Sequence, residues 1–269
     1  MAAFSSQICL FGCGNMGSAM LRGWLAGGIA PDRFHVIDPT AQDLPEGVCV
    51  SRSAQNLDAT FDLVVLGIKP QMLPALAPDI EPLLAPHATL MSILAGIRTE
   101  TLSAQFPRAR IMRVMPNLAA AIGKSPLGIF APPDSDVRRA DINALLAPLG
   151  TPVWISDENH MDAVTALAGS GPAFVYRFID ALAQGGAAAG LPNDVAALLA
   201  VSMVEGAAIL AATSDETPDI LAARVTSPGG TTAAGLAVLD DSDALNRLVA
   251  ETLKAARDRG AELAKGELI

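Results

Sequence analysis

Two stretches of the chain combine residue types and spacings that could do chemistry. The first is GCGNMG, from Gly12 to Gly17, a GxGxxG directly after the apolar run QICLFG and directly before an amphipathic segment. In that setting Gly12 permits a tight turn, Gly14 lets a pyrophosphate approach the backbone, and Gly17 allows a helix to pack closely on a strand. The expected ligand is a dinucleotide, with Asn15 and Met16 in the same turn. The second is TSPGGTTAAG, from Thr226 to Gly235. Thr226 or Ser227 reads as a helix cap, with Pro228 and the two glycines in the first turn. Each glycine there costs roughly 1 kcal/mol against alanine, which capping alone does not explain. Backbone bare of side chains at a helix start leaves amides open to an anion that the helix dipole favours.

Other positions narrow the chemistry. Asp38 lies 21 residues after Gly17 at the end of FHVID, where an acid can bind adenosine ribose hydroxyls and would repel a 2′-phosphate. The segment DPTAQ offers no arginine to neutralise that phosphate, so the electrostatics favour NADH. The alternative for Asp38 is a turn-forming Asp-Pro. Lys69, one of only four lysines, follows the run DLVVLGI, where ligands bind at the carboxyl edge of open sheets. Cys13 could be activated at a helix start, or simply fill the variable position of the motif. His35, His87 and His160 fall outside these motifs and read as surface residues, so a histidine-based relay is not expected.

Composition sets the frame. The chain has 269 residues, 51% hydrophobic, and a net charge of −10, which argues against nucleic acid or an anionic membrane as partner. Its three cysteines, Cys9, Cys13 and Cys49, have no metal-ligand spacing and fit a reducing cytoplasm; no metal is expected. The N-terminus lacks a basic segment of the secretory kind. The most apolar later run, VAALLAVSMV, is ten residues long and precedes Glu205, and reads as a buried helix.

The elements that must position the motifs follow from hydrophobic patterning. Runs at 7–12, 34–38, 62–68, 88–94 and 109–115 are almost continuously apolar, as strands of a doubly buried parallel sheet are. Helices are expected near 15–27, 72–84 and 99–105, giving an α/β, doubly wound, Rossmann-type domain over residues 1–155. Strands at 125–131 and 152–156, with a helix near 135–147, would extend the sheet. Residues 156–269 turn alanine- and leucine-rich and read as a separate all-α domain of five or six helices.

Taken together these residues resemble the pyrroline-5-carboxylate reductase family. FGCGNMGSAM, GIKPQML, RVMPN, DAVTALAGSGPAFVYRFIDAL and VTSPGGTTAAGLAVL occur in the family's order over nearly the whole chain. The resemblance implies NAD(P)H-dependent reduction of 1-pyrroline-5-carboxylate to L-proline. It implies that Ser227, Gly230, Thr231 and Thr232 hold the substrate carboxylate, with Thr232 donating to the ring nitrogen as the catalytic residue. Gly12, Gly14, Asn15, Met16, Gly17, Asp38, Asn56, Lys69, Pro70, Ala95 and Glu158 match cofactor-contacting positions. A homodimer interlocked through the helical domain, assembling to a decamer, is implied as well. Asp38 departs from the small polar residues usual in the family. Two alternatives share the nucleotide domain. A β-hydroxyacid dehydrogenase would need a lysine in its helical domain, and none lies between Lys124 and Lys254. A non-catalytic redox sensor would have no use for the TSPGG segment.

Overall fold

A computed structural model describes residues 7–55 and 57–264. The apolar runs form strands because both faces of each must be covered. Along β1 (Ile8–Phe11), Ile8 and Leu10 enter one core while Cys9 and Phe11 enter the other. Helix α1 (Asn15–Ala26) follows, burying Met20, Leu21 and Trp24 against β2 (Phe34–Ile37) and its neighbours. Then come β3 (Cys49–Ser51), β4 (Phe61–Leu66), α2 (Leu73–Ile80), β5 (Leu84–Ser92), α3 (Thr99–Gln105) and β6 (Arg110–Met115). The sheet closes with β7 (Ser125–Phe130), α4 (Arg139–Leu146) and β8 (Gly150–Trp154).

The eight strands lie in the order β3-β2-β1-β4-β5-β6-β7-β8. Pairing is parallel except between β6 and β7, so β7 and β8 run against the rest. This is the doubly wound sheet expected from the sequence. One strand was not anticipated: β3 is three residues long, on the exposed edge, and too short to show a pattern. His35 also departs from its surface reading. It is half-buried on β2, with Nε2 2.8 Å from the Ser51 hydroxyl.

By compactness the chain falls into two units, one of residues through Ser170 with those from Ala256 onward, the other Gly171–Ala255. In the first unit, α5 (Met161–Val164) and a π-helical turn over Thr165–Gly169 follow β8. Val164 packs on β7 so closely that a Cβ on Gly128 would stand 2.2 Å from it. The second unit contains α6 (Gly171–Ala188), α7 (Asn193–Thr213), α8 (Pro218–Arg224) and α9 (Thr231–Leu239); α10 (Ala244–Ala264) begins in it.

The run read as a ten-residue buried helix is part of the 21-residue α7, within which an 18-residue window has a mean hydropathy of 2.1. Within the chain only Ala196 and Ala200 of α7 are buried, while Leu198, Leu199, Val201, Met203, Ile209 and Leu210 are exposed. By length and composition α7 could cross a bilayer. The exposed apolar face fits the expectation of a dimer formed through the helical domain.

Candidate active site

The residues expected to bind a nucleotide sit where the parallel strands end. Because β1, β2, β4 and β5 run in parallel, the loops that follow them emerge on one edge of the sheet. The turn after β1 has Gly12 at φ +93°, a conformation that disfavours any side chain. A Cβ there would lie 2.7 Å from the Gly67 carbonyl carbon in the turn after β4. Gly17 is tight too, since its Cβ would stand 2.7 Å from the Gly12 carbonyl oxygen. Gly14 is the reverse: exposed, with nothing within 4 Å of a Cβ. It caps α1 with no side-chain hydrogen bond, so the first amides of α1, from Asn15, Met16 and Gly17, are free for an anion. A closed pair of glycines beside an open one is the cradle a pyrophosphate requires.

Asp38 takes the turn-forming role that was one of its two sequence readings, and adds a longer-range bond to it. It is buried, and Oδ2 accepts the Cys13 N–H at 2.7 Å. Oδ1 accepts the Thr40 N–H at 2.7 Å and the Thr40 hydroxyl at 2.8 Å. Burial opposes its charge, but the hydrogen bonds from Cys13, Thr40 and Ala41 outweigh burial and hold the carboxyl below the usual range. Asp38 is therefore first a latch between the glycine turn and the end of β2. Its two oxygens accept three bonds at 2.7–2.8 Å, and the Ala41 N–H adds to them, so the carboxylate is well satisfied where it stands. Cys13 keeps the passive role. Burial pushes its thiol up despite the Ser18 hydroxyl nearby.

Lys69 is exposed on the turn after β4 and precedes a 3₁₀ turn begun by Pro70. Ala95 is half-buried after β5. Asn56 lies outside the described residues. Glu158 accepts the Thr99 N–H and hydroxyl, each at 2.8 Å, and pairs with Arg113 at 2.9 Å. Burial works against its charge, but those bonds and the Arg113 cation lower its carboxyl. These contacts pin the start of α3 to β6. Asn117, of the MPN segment, is likewise occupied: it caps the turn at Leu118 and donates to the Ala168 carbonyl at 2.9 Å.

The TSPGG segment corrects the sequence reading of its helix. Neither Thr226 nor Ser227 is the cap, and the glycines are not inside the first turn. The Thr226 hydroxyl bonds back to Ala222 at the end of α8, and α9 begins at Thr231 with Gly230 as its cap. Gly229 adopts φ +69°, a left-handed step that reverses the chain into the helix. The Gly230 N–H is bonded to the Ser227 carbonyl at 3.0 Å, so it is not available to a substrate. A Cβ on Gly230 would stand 2.4 Å from the Ser227 hydroxyl oxygen. The cap provides no side-chain hydrogen bond, leaving the amides of Thr231, Thr232 and Ala233 open. Thr165, Thr213 and Thr252 each bond their hydroxyl to the carbonyl four residues back. Among the described residues the half-buried Thr232 has no such bond, so its hydroxyl is uncommitted beside open amides.

Sequence reasoning missed one residue at the nucleotide edge. Arg52, just after β3, donates from Nη1 to the Pro39 carbonyl at 3.0 Å and the Ala41 carbonyl at 2.7 Å. The only signal for it was the strand that went unread.

Comparison with known proteins bears on both parts. Residues 158–263 match the family model for pyrroline-5-carboxylate reductase dimerisation. Residues 7–96 match that for NADP oxidoreductase, coenzyme F420-dependent. The chain is 33% identical over 266 residues to the pyrroline-5-carboxylate reductase of Pseudomonas aeruginosa, covering 96% of this chain and 97% of that protein. A pyrroline-5-carboxylate reductase structure from Coxiella burnetii superposes with TM-score 0.88 at 29% identity, covering 96% and 98% of the two chains. The Plasmodium falciparum pyrroline carboxylate reductase, solved with NADP bound, superposes with TM-score 0.84 at 26% identity, covering 97% and 98%.

Proposed function

The chain belongs to the pyrroline-5-carboxylate reductase family, and from that premise we propose how its residues do the family's work. It is an NAD(P)H-dependent oxidoreductase that reduces 1-pyrroline-5-carboxylate to L-proline, the final step of proline biosynthesis. The observation that carries the substrate reading is the mouth of α9, where open amides and an unused threonine hydroxyl stand together.

The amides of Thr231 and Thr232, with the positive end of the α9 dipole, hold the substrate carboxylate; the Ser227 hydroxyl flanks it. Gly230 serves by conformation and by its lack of a Cβ, since its own N–H is taken. The Thr232 hydroxyl donates to the ring nitrogen and fixes the plane of the C=N bond. Hydride for C5 is the chemistry the reduced nicotinamide supplies when bound. The imine nitrogen is basic and can arrive protonated, so positioning and one polarising donor suffice without a strong base.

Gly12, Gly14 and Gly17 shape the pyrophosphate turn, and the amides from Asn15 on bind its charge. Lys69, Pro70, Ala95 and Asn56 complete the cofactor contacts, and Glu158 braces the β5–α3 turn behind them. The fixed negative charge of Asp38 at the ribose end favours NADH over NADPH. The exposed faces of α6 and α7 pair protomers through the dimerisation region, and the dimers build a decamer. Two buried free cysteines and one exposed, Cys49, suit the cytoplasm.

The direct test follows loss of the near-ultraviolet absorbance of NADH, and separately NADPH, on adding 1-pyrroline-5-carboxylate. Imine-dependent oxidation that forms proline is the expected result. No turnover with either coenzyme would overturn the reading.

A further inference from the structure

Asp38 alone would make the adenosine ribose end hostile to a second phosphate, yet an arginine reaches the same loop. β2 and β3 pair in parallel, with Ile37 opposite Ser51, so the residues that follow each strand emerge side by side. Asp38 follows one and Arg52 the other. The Arg52 guanidinium reaches across to the Pro39 and Ala41 carbonyls, which flank Thr40, and Thr40 is the partner of Asp38 Oδ1. Both bonds use Nη1. A guanidinium has five N–H donors, so three remain on Nη2 and Nε. Among the described residues no carboxylate lies within ion-pair distance of Arg52, although Asp43 and Glu46 line the same surface hollow. In a chain with ten more acids than bases, an exposed arginine fixed by two carbonyls and spared an acid partner is unusual.

We propose that Arg52 is the coenzyme-discriminating cation of this enzyme, binding the 2′-phosphate of NADPH across from Asp38. This rests on the reductase reading and deepens its coenzyme site. The two carbonyl bonds hold the guanidinium plane in place, so less side-chain freedom is lost when a phosphate docks on its free edge. A fork of N–H groups matches phosphate oxygens better than an ammonium does. Asp38 and Arg52 then act in opposition: the acid sets a lead for NADH, and the arginine limits that lead so that both coenzymes are used.

The test is Arg52→Gln, with Arg52→Lys beside it, in the full-length protein. The ratio of kcat/KM for NADPH to that for NADH should fall at least tenfold in Arg52→Gln and recover in part in Arg52→Lys. A second readout needs no turnover: by calorimetry, adenosine 2′,5′-bisphosphate should lose at least tenfold more affinity than adenosine 5′-monophosphate. Added salt should erode the bisphosphate's advantage in the parent protein and not in Arg52→Gln. Equal losses for both coenzymes and both nucleotides would make Arg52 only a brace of the 38–41 loop and overturn the proposal. An unchanged ratio would overturn it too. The binding arm separates this from the reductase reading, because it does not depend on which imine is reduced.

Discussion

Replacing Asp38 with asparagine tests both its latch role and the coenzyme preference proposed for it. Asparagine keeps the shape but converts one acceptor oxygen into a donor. Either the Cys13 N–H or the Thr40 pair then faces an N–H instead of an oxygen. Leaving one buried donor unpaired costs about 1–3 kcal/mol. Because the freed glycine turn must be reordered when any dinucleotide binds, part of that cost should weaken both coenzymes alike. The lost charge acts on NADPH only. A 2′-phosphate carrying about −1.5 charge at about 6 Å is repelled by a carboxylate by about 1 kcal/mol in bulk water and about 4 kcal/mol at an effective dielectric of about 20. Steady-state kinetics should thus give an NADH kcat/KM roughly tenfold lower, with the NADPH-to-NADH ratio raised at least fivefold. Since the carboxyl is held below its usual value, the latch is complete above about pH 4 and fails only as pH falls through the lowered value. Wild-type NADH kinetics together with an unmoved ratio would refute both roles at once.

Three further outcomes are expected. Thr232→Ala should lower kcat/KM for the imine by roughly 2–4 kcal/mol in activation free energy while the NADH dissociation constant holds; full activity in a folded variant would reduce the TSPGG segment to a helix start. Glu158→Gln removes the carboxylate from Arg113, whose Nε and Nη2 are already buried without partners among the described residues, and should cost about 3 kcal/mol in urea unfolding. The stabilisation from Glu158 is complete above its ordinary pKa and fades as pH drops through the depressed one, so parent and variant should converge in acid. Light scattering at micromolar concentration should give a multiple of 27.6 kDa, and a mass equal to one chain would contradict assembly through α6 and α7.

The sheet was legible because strands covered on both faces must be apolar at every position, as Ile8–Phe11 and Phe61–Leu66 nearly are. The glycine turn was legible because glycine is the only residue for a positive φ and a backbone-to-backbone contact at once. What escaped depends on neighbours distant in sequence. β3 has three residues and an exposed pattern, so nothing in the sequence set Arg52 beside the end of β2. The bond from the Cys13 amide to Asp38 spans 25 residues, so the sequence showed the turn at Asp38 but not the tie to the glycine motif. At Thr226–Gly230 the rules for helix caps pointed to the hydroxyl residues. The chain instead turns at Gly229, and a left-handed glycine before a helix leaves no pattern of its own. The length of α7 escaped in part, since only its most apolar ten residues were read as helix.

The mutual contact of Gly12 and Gly67 has a meaning for how this coenzyme site can be changed by selection. A Cβ on Gly12 strikes the backbone of Gly67, and a Cβ on Gly67 would lie 2.4 Å from the Gly12 carbonyl oxygen. Each obstruction is main chain, so no replacement elsewhere relieves it by shrinking a side chain. The two positions form a dead end for stepwise drift: a change at one is not rescued by a change at the other. The ribose edge has the opposite character, because Thr40 and Arg52 are both exposed and meet through loop carbonyls. Substitution is therefore closed at residues 12 and 67 and sterically open at 40 and 52.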